Sequence, residues 1–313
     1  MAAGERCALA TLVSGRFSGG GPGSKLAVRS DGEVAGAFPR AVLGEVTEAA
    51  DLVLEGAPPR LVDLGGGFEA WVERYVPGRA AEVVADEGRA VSVTLLAGAA
   101  PGSKLVVEAG GQRSGSLGSP ELDDEAARLA AEMLWQEMSE RRGTMFLDVL
   151  VPPPQLWVFG AGRIAGCLRE IGHAIGWRVS VIDPLAAPGD DGVITAGLDD
   201  VVALLGDLDP ATSIVVVSHD RAVDVPALSL ALRSPARFVG AMGSRRTQAA
   251  RREGLLELGF AAADFERISA PVGLDLGAVE YEETALSIMA EVVAARHGRS
   301  GGRVAATREA ATA

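Results

Sequence analysis

Leu156-Trp157-Val158-Phe159-Gly160-Ala161-Gly162-Arg163-Ile164-Ala165-Gly166 is the stretch whose reading decides the fold. An apolar run suited to a buried strand passes without a spacer into Gly-x-Gly-x-x-Ala, and an apolar-periodic helix follows. A second short strand, Val179-Ser180-Val181-Ile182, ends on Asp183, 23 positions (160 to 183) after the first glycine. This is the dinucleotide-binding arrangement, and each part has a physical task. Gly160 makes the tight turn, and Gly162 lets backbone N–H groups approach a phosphate. Ala165 is small enough for the helix to pack on the strand. The helix N-terminus presents unpaired N–H groups and a positive dipole end to an anion, and Asp183 is placed to accept from a ribose hydroxyl.

Working outward toward the C-terminus, strands and helices alternate. The pattern predicts strands at 156–159, 179–182, 214–218 and 238–240, with helices at 163–176, 198–205, 224–233, 245–257 and 281–296. Such alternation implies a parallel sheet with helices on both faces. The fold class is therefore α/β: a C-terminal Rossmann-like parallel-sheet domain over 155–297, followed by a tail, 298–313, without periodicity and expected to be disordered. Pro152-Pro153-Pro154 can continue neither a helix nor a strand ladder and marks the boundary.

Residues 1–150 form the other domain, an α+β unit built from two repeats, about 8–77 and 91–152. Pro22-Gly23-Ser24-Lys25-Leu26-Ala27-Val28 matches Pro101-Gly102-Ser103-Lys104-Leu105-Val106-Val107 almost residue for residue. Each copy reads as strand, glycine-rich loop, strand, turn, strand, helix, strand. The helix of the second copy is expected from Asp123 to Glu140, with Arg141-Arg142 at its end. Two such units, each small for independent folding, are expected to pair about a pseudo-twofold axis. Lys25 and Lys104 then either converge near that axis or remain as duplicated surface lysines.

With 42 acidic against 29 basic side chains, the net charge of −13 excludes general nucleic-acid or anionic-membrane binding, so an anionic ligand needs a local cationic pocket. No apolar run reaches the ~20 residues of a membrane span. The N-terminus has no secretory signature, and two cysteines, Cys7 and Cys167, make no disulfide scaffold, so a cytoplasmic protein is expected.

Ligands of parallel sheets lie at the carboxyl ends of the strands. Four elements fall there: the loop 160–165 with Arg163; Asp183; Ser218-His219-Asp220; and Gly240-Ala241-Met242-Gly243-Ser244-Arg245-Arg246. The candidate cofactor-binding set is Gly160, Gly162, Arg163, Ala165, Asp183, His219, Gly243, Ser244 and Arg245. His219 and Asp220 are the candidates for acid–base catalysis, although a His219 simply bonded to Asp220 or loop backbone fits equally. Arg245 and Arg246 open a helix that also holds Arg251 and Arg252, so a phosphate contact and a solvated basic face are both open. His173 reads as packing or solvent-facing, Cys167 as a small hydrophobe. No His/Cys/Asp spacing suggests a metal site.

Residues 214–246, together with Ala270-Pro271-Val272-Gly273-Leu274-Asp275-Leu276-Gly277 and Glu282-Glu283-Thr284-Ala285-Leu286-Ser287-Ile288-Met289-Ala290-Glu291-Val292, resemble the xanthine dehydrogenase accessory family (XdhC/CoxI). The duplicated N-terminal half is also similar to that family. The resemblance implies a cytoplasmic chaperone that binds molybdenum cofactor, as molybdopterin or its cytosine dinucleotide, and aids its maturation or insertion into a xanthine dehydrogenase- or CO dehydrogenase-type molybdenum hydroxylase. It implies partnership with the hydroxylase apoenzyme, a cysteine desulfurase as a further partner, and a homo-oligomer. Two habitual cysteines of the family are absent, at Gly36-Ala37-Phe38-Pro39-Arg40-Ala41-Val42 and at Gly65-Gly66-Gly67. The alternatives are an NAD-dependent oxidoreductase, with Asp183 on the ribose and His219 as acid–base, and a non-catalytic regulatory or scaffold paralogue.

Overall fold

A computed structural model describes residues 6–187 and 192–303 and divides into two compact units, Met1–Pro152 and Pro153–Ala313. The expected disordered tail lies outside the described residues from 304 onward.

In the first unit the repeats share one topology. The first copy is β1 (Cys7–Ser14), β2 (Lys25–Arg29), β3 (Val34–Gly36), α1 (Leu43–Leu54), β4 (Arg60–Asp63) and β5 (Glu69–Arg74). A short helix, α2 (Arg79–Ala85), leads to the second copy: β6 (Ala90–Leu95), β7 (Lys104–Glu108), β8 (Arg113–Ser116), α3 (Pro120–Met133), β9 (Glu140–Arg142) and β10 (Met145–Leu150). Each forms a five-stranded antiparallel sheet, ordered β3-β2-β1-β5-β4 and β8-β7-β6-β10-β9. The strand preceding the last one in each copy, β4 and β9, escapes the sequence pattern. Strand alternation sorts the side chains. Ala8, Ala10 and Leu12 pack with Val46, Ala50 and Val53 of α1, and Val91, Val93 and Leu95 pack with Ala126, Ala130 and Met133 of α3. The opposite faces meet through Val13, Trp71, Leu96 and Phe146.

Helix α3 begins where its signals place it. The Ser119 hydroxyl accepts from Leu122 N–H, Pro120 occupies the first turn, and Glu121 and Asp123 complement the dipole. Its end differs from the expected Glu140. Arg89 donates to the Leu134 carbonyl, stacks on the Trp135 ring and pairs with Glu137, whose φ is +56°. The chain turns there, and Arg141 and Arg142 lie on β9, with Arg141 bonded to Glu69.

The second unit runs β11 (Gln155–Phe159), α4 (Arg163–Ala174), β12 (Arg178–Ile182), β13 (Val193–Ile194), α5 (Leu198–Leu205), β14 (Ser213–Val216), α6 (Arg221–Arg233), β15 (Phe238–Ala241), α7 (Arg245–Glu257), β16 (Ile268–Ser269) and α8 (Tyr281–Arg296). Its six-stranded parallel sheet is ordered β13-β12-β11-β14-β15-β16. Counted within the unit, that order is 3-2-1-4-5-6, the doubly wound order of dinucleotide-binding folds. Trp157, Phe159, Ile214 and Val216 face a core with α6, while Leu156, Val158 and Val215 face one with α4 and α8. This explains why the central strands read as continuous apolar runs: both faces are covered. The two-residue strands β13 and β16 are too short to show a period.

Candidate functional site

The strand order reverses between β11 and β14, which places the glycine loop and Ser218-His219-Asp220 side by side at the carboxyl edge. They touch. Val217 and Ser218 N–H both donate to Phe159 O, at 2.9 and 3.1 Å. Gly160 has φ +111°, and a Cβ built on it would lie 2.6 Å from Ser218 N and 2.8 Å from Ser218 Cα. Glycine is required there by the protein itself.

Gly162 is different. Its φ is −80°, and nothing lies within 4 Å of a Cβ built on it. It is the N-cap of α4, and no side chain caps that helix, so the first-turn N–H groups have no intrahelical partner. Of the other helices opening at this edge, α5 has a glycine N-cap, Gly197, without a side-chain cap, whereas α6 and α7 cap themselves. Asp220 accepts from Ala222 N–H at 2.8 Å, and Ser244 accepts from Thr247 N–H at 3.3 Å. Ala165 is fully buried against the sheet.

Asp183 stands at the end of β12, and both its oxygens are engaged. Oδ2 accepts from Ala161 N–H at 2.9 Å and Oδ1 from Leu185 N–H at 3.0 Å. The carboxylate therefore braces the glycine loop, and only its remaining lone pairs are available to a ribose. Arg163 is 69% exposed at its side chain; it pairs with Glu282 at 3.2 Å and lies over the Tyr281 ring. His219 is exposed, and no bond joins it to Asp220, whose carboxylate caps α6. Gly243 has φ +136° and packs beside Thr247 and Arg251. Arg245 and Arg246 are exposed and have no ion-pair partner among the described residues.

One side chain that holds the edge together looks, in sequence, like part of a solvated basic face. Arg251, only 2% exposed, pairs with Asp224, 1% exposed, at 2.7 Å. It also donates to the carbonyls of Ser218 and Met242, in the loops just after β14 and β15. Burial pushes the Asp224 carboxyl up, against the opposing pull of Arg251. Helical spacing gives the only sequence hint: Arg251 shares the inward stripe of α7 with Leu255 and Gly254.

The loop leading into α8 is latched in the same manner. Glu291 accepts from Ser269 Oγ and Gly273 N–H, both at 2.5 Å, and Ser287 Oγ donates to Leu274 O at 2.6 Å. A Cβ on Gly273, φ +120°, would meet Ser287 Oγ at 2.5 Å. The idiosyncratic 270–291 motif is thus a tertiary fastening.

This is the fold and loop pattern matched by a family model described as the XdhC Rossmann domain, over residues 156–292. The match falls within the C-terminal unit. Among similar proteins is the Escherichia coli molybdenum cofactor insertion chaperone PaoD, 27% identical over 145 residues, covering 46% of this chain and 41% of PaoD. Another, from Bacillus subtilis, is named as a probable xanthine dehydrogenase component; it is 28% identical over 159 residues, covering 49% of this chain and 46% of the relative. The matches span less than half the length of either. A crystal structure from Bacillus halodurans named a xanthine dehydrogenase superposes with TM-score 0.69 at 19% identity, covering 96% of this chain and 94% of that one. It shares the fold. Among the described residues no group of three or more His, Cys, Asp or Glu is suited to a metal ion, and no helix among them is long and apolar enough to cross a membrane.

Proposed function

We propose that this chain is a cytoplasmic accessory factor that binds molybdenum cofactor as cargo and aids its maturation or insertion into a molybdenum hydroxylase. The observation that carries the reading is the uncapped N-terminus of α4 at the switch point of an XdhC Rossmann domain, where Gly162 is unconstrained by any protein neighbour. A glycine with ordinary φ and open surroundings at this N-cap leaves room for a ligand to approach the backbone. The cofactor carries phosphate, so the donor set fits it: free first-turn N–H groups, with the exposed guanidinium groups of Arg245 and Arg246 on the same sheet edge. Similarity to PaoD, itself named a molybdenum cofactor insertion chaperone, supports this choice of cargo. The apo-hydroxylase is then the partner, with a cysteine desulfurase as the sulfur donor and a homo-oligomer as the working form.

The test is to purify the full chain from cofactor-replete cells and assay pterin released on denaturation, then transfer to an apo-hydroxylase. Near-stoichiometric pterin and restored hydroxylase activity are expected; absence of both overturns the reading. A second reading, a nicotinamide-dependent oxidoreductase, is favoured by the 3-2-1-4-5-6 order and by Asp183 at the end of β12. Saturable NADH fluorescence enhancement in the micromolar range without pterin would establish it in place of the first.

A further inference from the structure

The two repeats of the first unit form an open cavity of about 950 Å³ between their sheets, within the size range of small-molecule sites, about 300–1,000 Å³. Facing sheets normally bury interdigitating apolar side chains, and beside the apolar cluster these also bury polar ones. The arrangement is duplicated. In the first sheet Thr11 stands opposite Lys25 and Trp71, and Leu9 opposite Glu73. In the second, Thr94 stands opposite Lys104 and Phe146, and Ser92 opposite Asp148. The ion pairs cross between copies: Lys25 of the first binds Asp148 of the second at 2.6 Å, and Lys104 of the second binds Glu73 of the first. The lysines do converge between the repeats.

The carboxylates are held by further partners, Glu73 by the Trp71 indole N–H and Asp148 by the Ser139 hydroxyl. They aim the ammonium groups and do not exhaust them. Lys25 also donates to Gly23 O and keeps one N–H, whereas Lys104 bonds only Glu73 and keeps two. Three lining hydroxyls, on Thr11, Ser92 and Thr94, have no bonding partner among the described residues, although these residues are only 7%, 5% and 6% exposed. Each ammonium is matched by a carboxylate, and what remains is a local excess of free donors over an aromatic floor of Trp71 and Phe146.

We propose that this inter-repeat cavity binds a small organic anion, a phosphate monoester or carboxylate on a flat apolar body. The free N–H groups of Lys25 and Lys104 take the anion, the hydroxyls take its polar edge, and the aromatic floor takes the ring. This site lies within the first unit and stands or falls independently of the glycine loop.

The probe is 1-anilinonaphthalene-8-sulfonate, titrated into the full chain by fluorescence. One saturable equivalent is expected, displaced by phenyl phosphate or benzoate and not by phenol. The stronger of those two competitors identifies the anion class. Ala27→Trp, which fills the cavity, abolishes the signal. The charge-neutral pair Lys104→Met with Glu73→Gln weakens binding roughly tenfold or more, the effect of losing a charge-assisted hydrogen bond. Circular dichroism confirms that each variant is folded. Displacement by phenol as effective as by phenyl phosphate, or unchanged affinity in the folded Ala27→Trp variant or in the folded Lys104→Met, Glu73→Gln pair, overturns the proposal. In that case the buried pairs serve only to register the two sheets.

Discussion

Replacing each of the two loop glycines by alanine separates what the protein needs from what its ligand needs. At Gly160 a methyl group must adopt φ +111° and meets the Ser218 backbone at 2.6 Å, where neither β11 nor β14 can retreat from a central position in the sheet. Backbone strain of this kind costs about 1–3 kcal/mol, and overpacking against a fixed neighbour adds about 1–3 kcal/mol. The two together come to roughly 4 kcal/mol. For a unit of this size that lowers Tm by roughly 8–16 °C. At Gly162 the backbone is ordinary and the surroundings are open, so Gly162→Ala changes stability by less than about 1 kcal/mol. Its effect falls on the ligand: co-purified pterin drops at least severalfold. Thermal unfolding by near-ultraviolet circular dichroism reads the first quantity, through Trp157 and Trp177 of the second unit, and pterin release reads the second. Equal Tm losses in the two variants would refute the steric argument, and wild-type pterin content in Gly162→Ala would refute the open cradle.

Breaking the buried pair with Arg251→Met leaves Asp224 uncompensated and is expected to cost about 3–5 kcal/mol in urea unfolding; adding Asp224→Leu should recover much of it. Glu283 accepts from Val279 and Glu280 N–H at the start of α8, and backbone bonds hold Glu282 and Glu283 below the ordinary glutamate range. Their contribution is present above the unfolded value, about 4.3, and is lost as pH falls through the lower folded values. Proteolysis near 279–283 should accelerate below about pH 4, and Glu283→Gln should flatten that dependence. Burial pushes both thiols, Cys7 and Cys167, above the ordinary range, so neither should react rapidly with a disulfide reagent at pH 7. Two equivalents should react on denaturation, and a fast thiol in the native protein would contradict this.

Much of the edge that forms the candidate site is legible because its parts are local. The Gly-x-Gly-x-x-Ala turn, the apolar strands and the self-capped helices after Ser218 and Gly243 each depend on neighbours within a few positions. So does the start of α3 at Ser119-Pro120. The end of α3 is not legible in this way, because Arg89, 45 residues earlier, terminates it through the Leu134 carbonyl. Arg251 misleads for the same reason: its partners, Asp224, Ser218 and Met242, come from α6 and two different loops.

The sequence by itself determined the parallel sheet, the phosphate-type turn at 160–165 and the duplication that carries Lys25 and Lys104. Those are recorded in periodicity and in repeated residues. Only the tertiary structure decided that Asp183 braces the glycine loop, that Arg163 turns to Glu282, and that the lysines cross to carboxylates of the opposite repeat. Charge pairing across a sheet interface depends on which faces meet, and no spacing along a single chain encodes that.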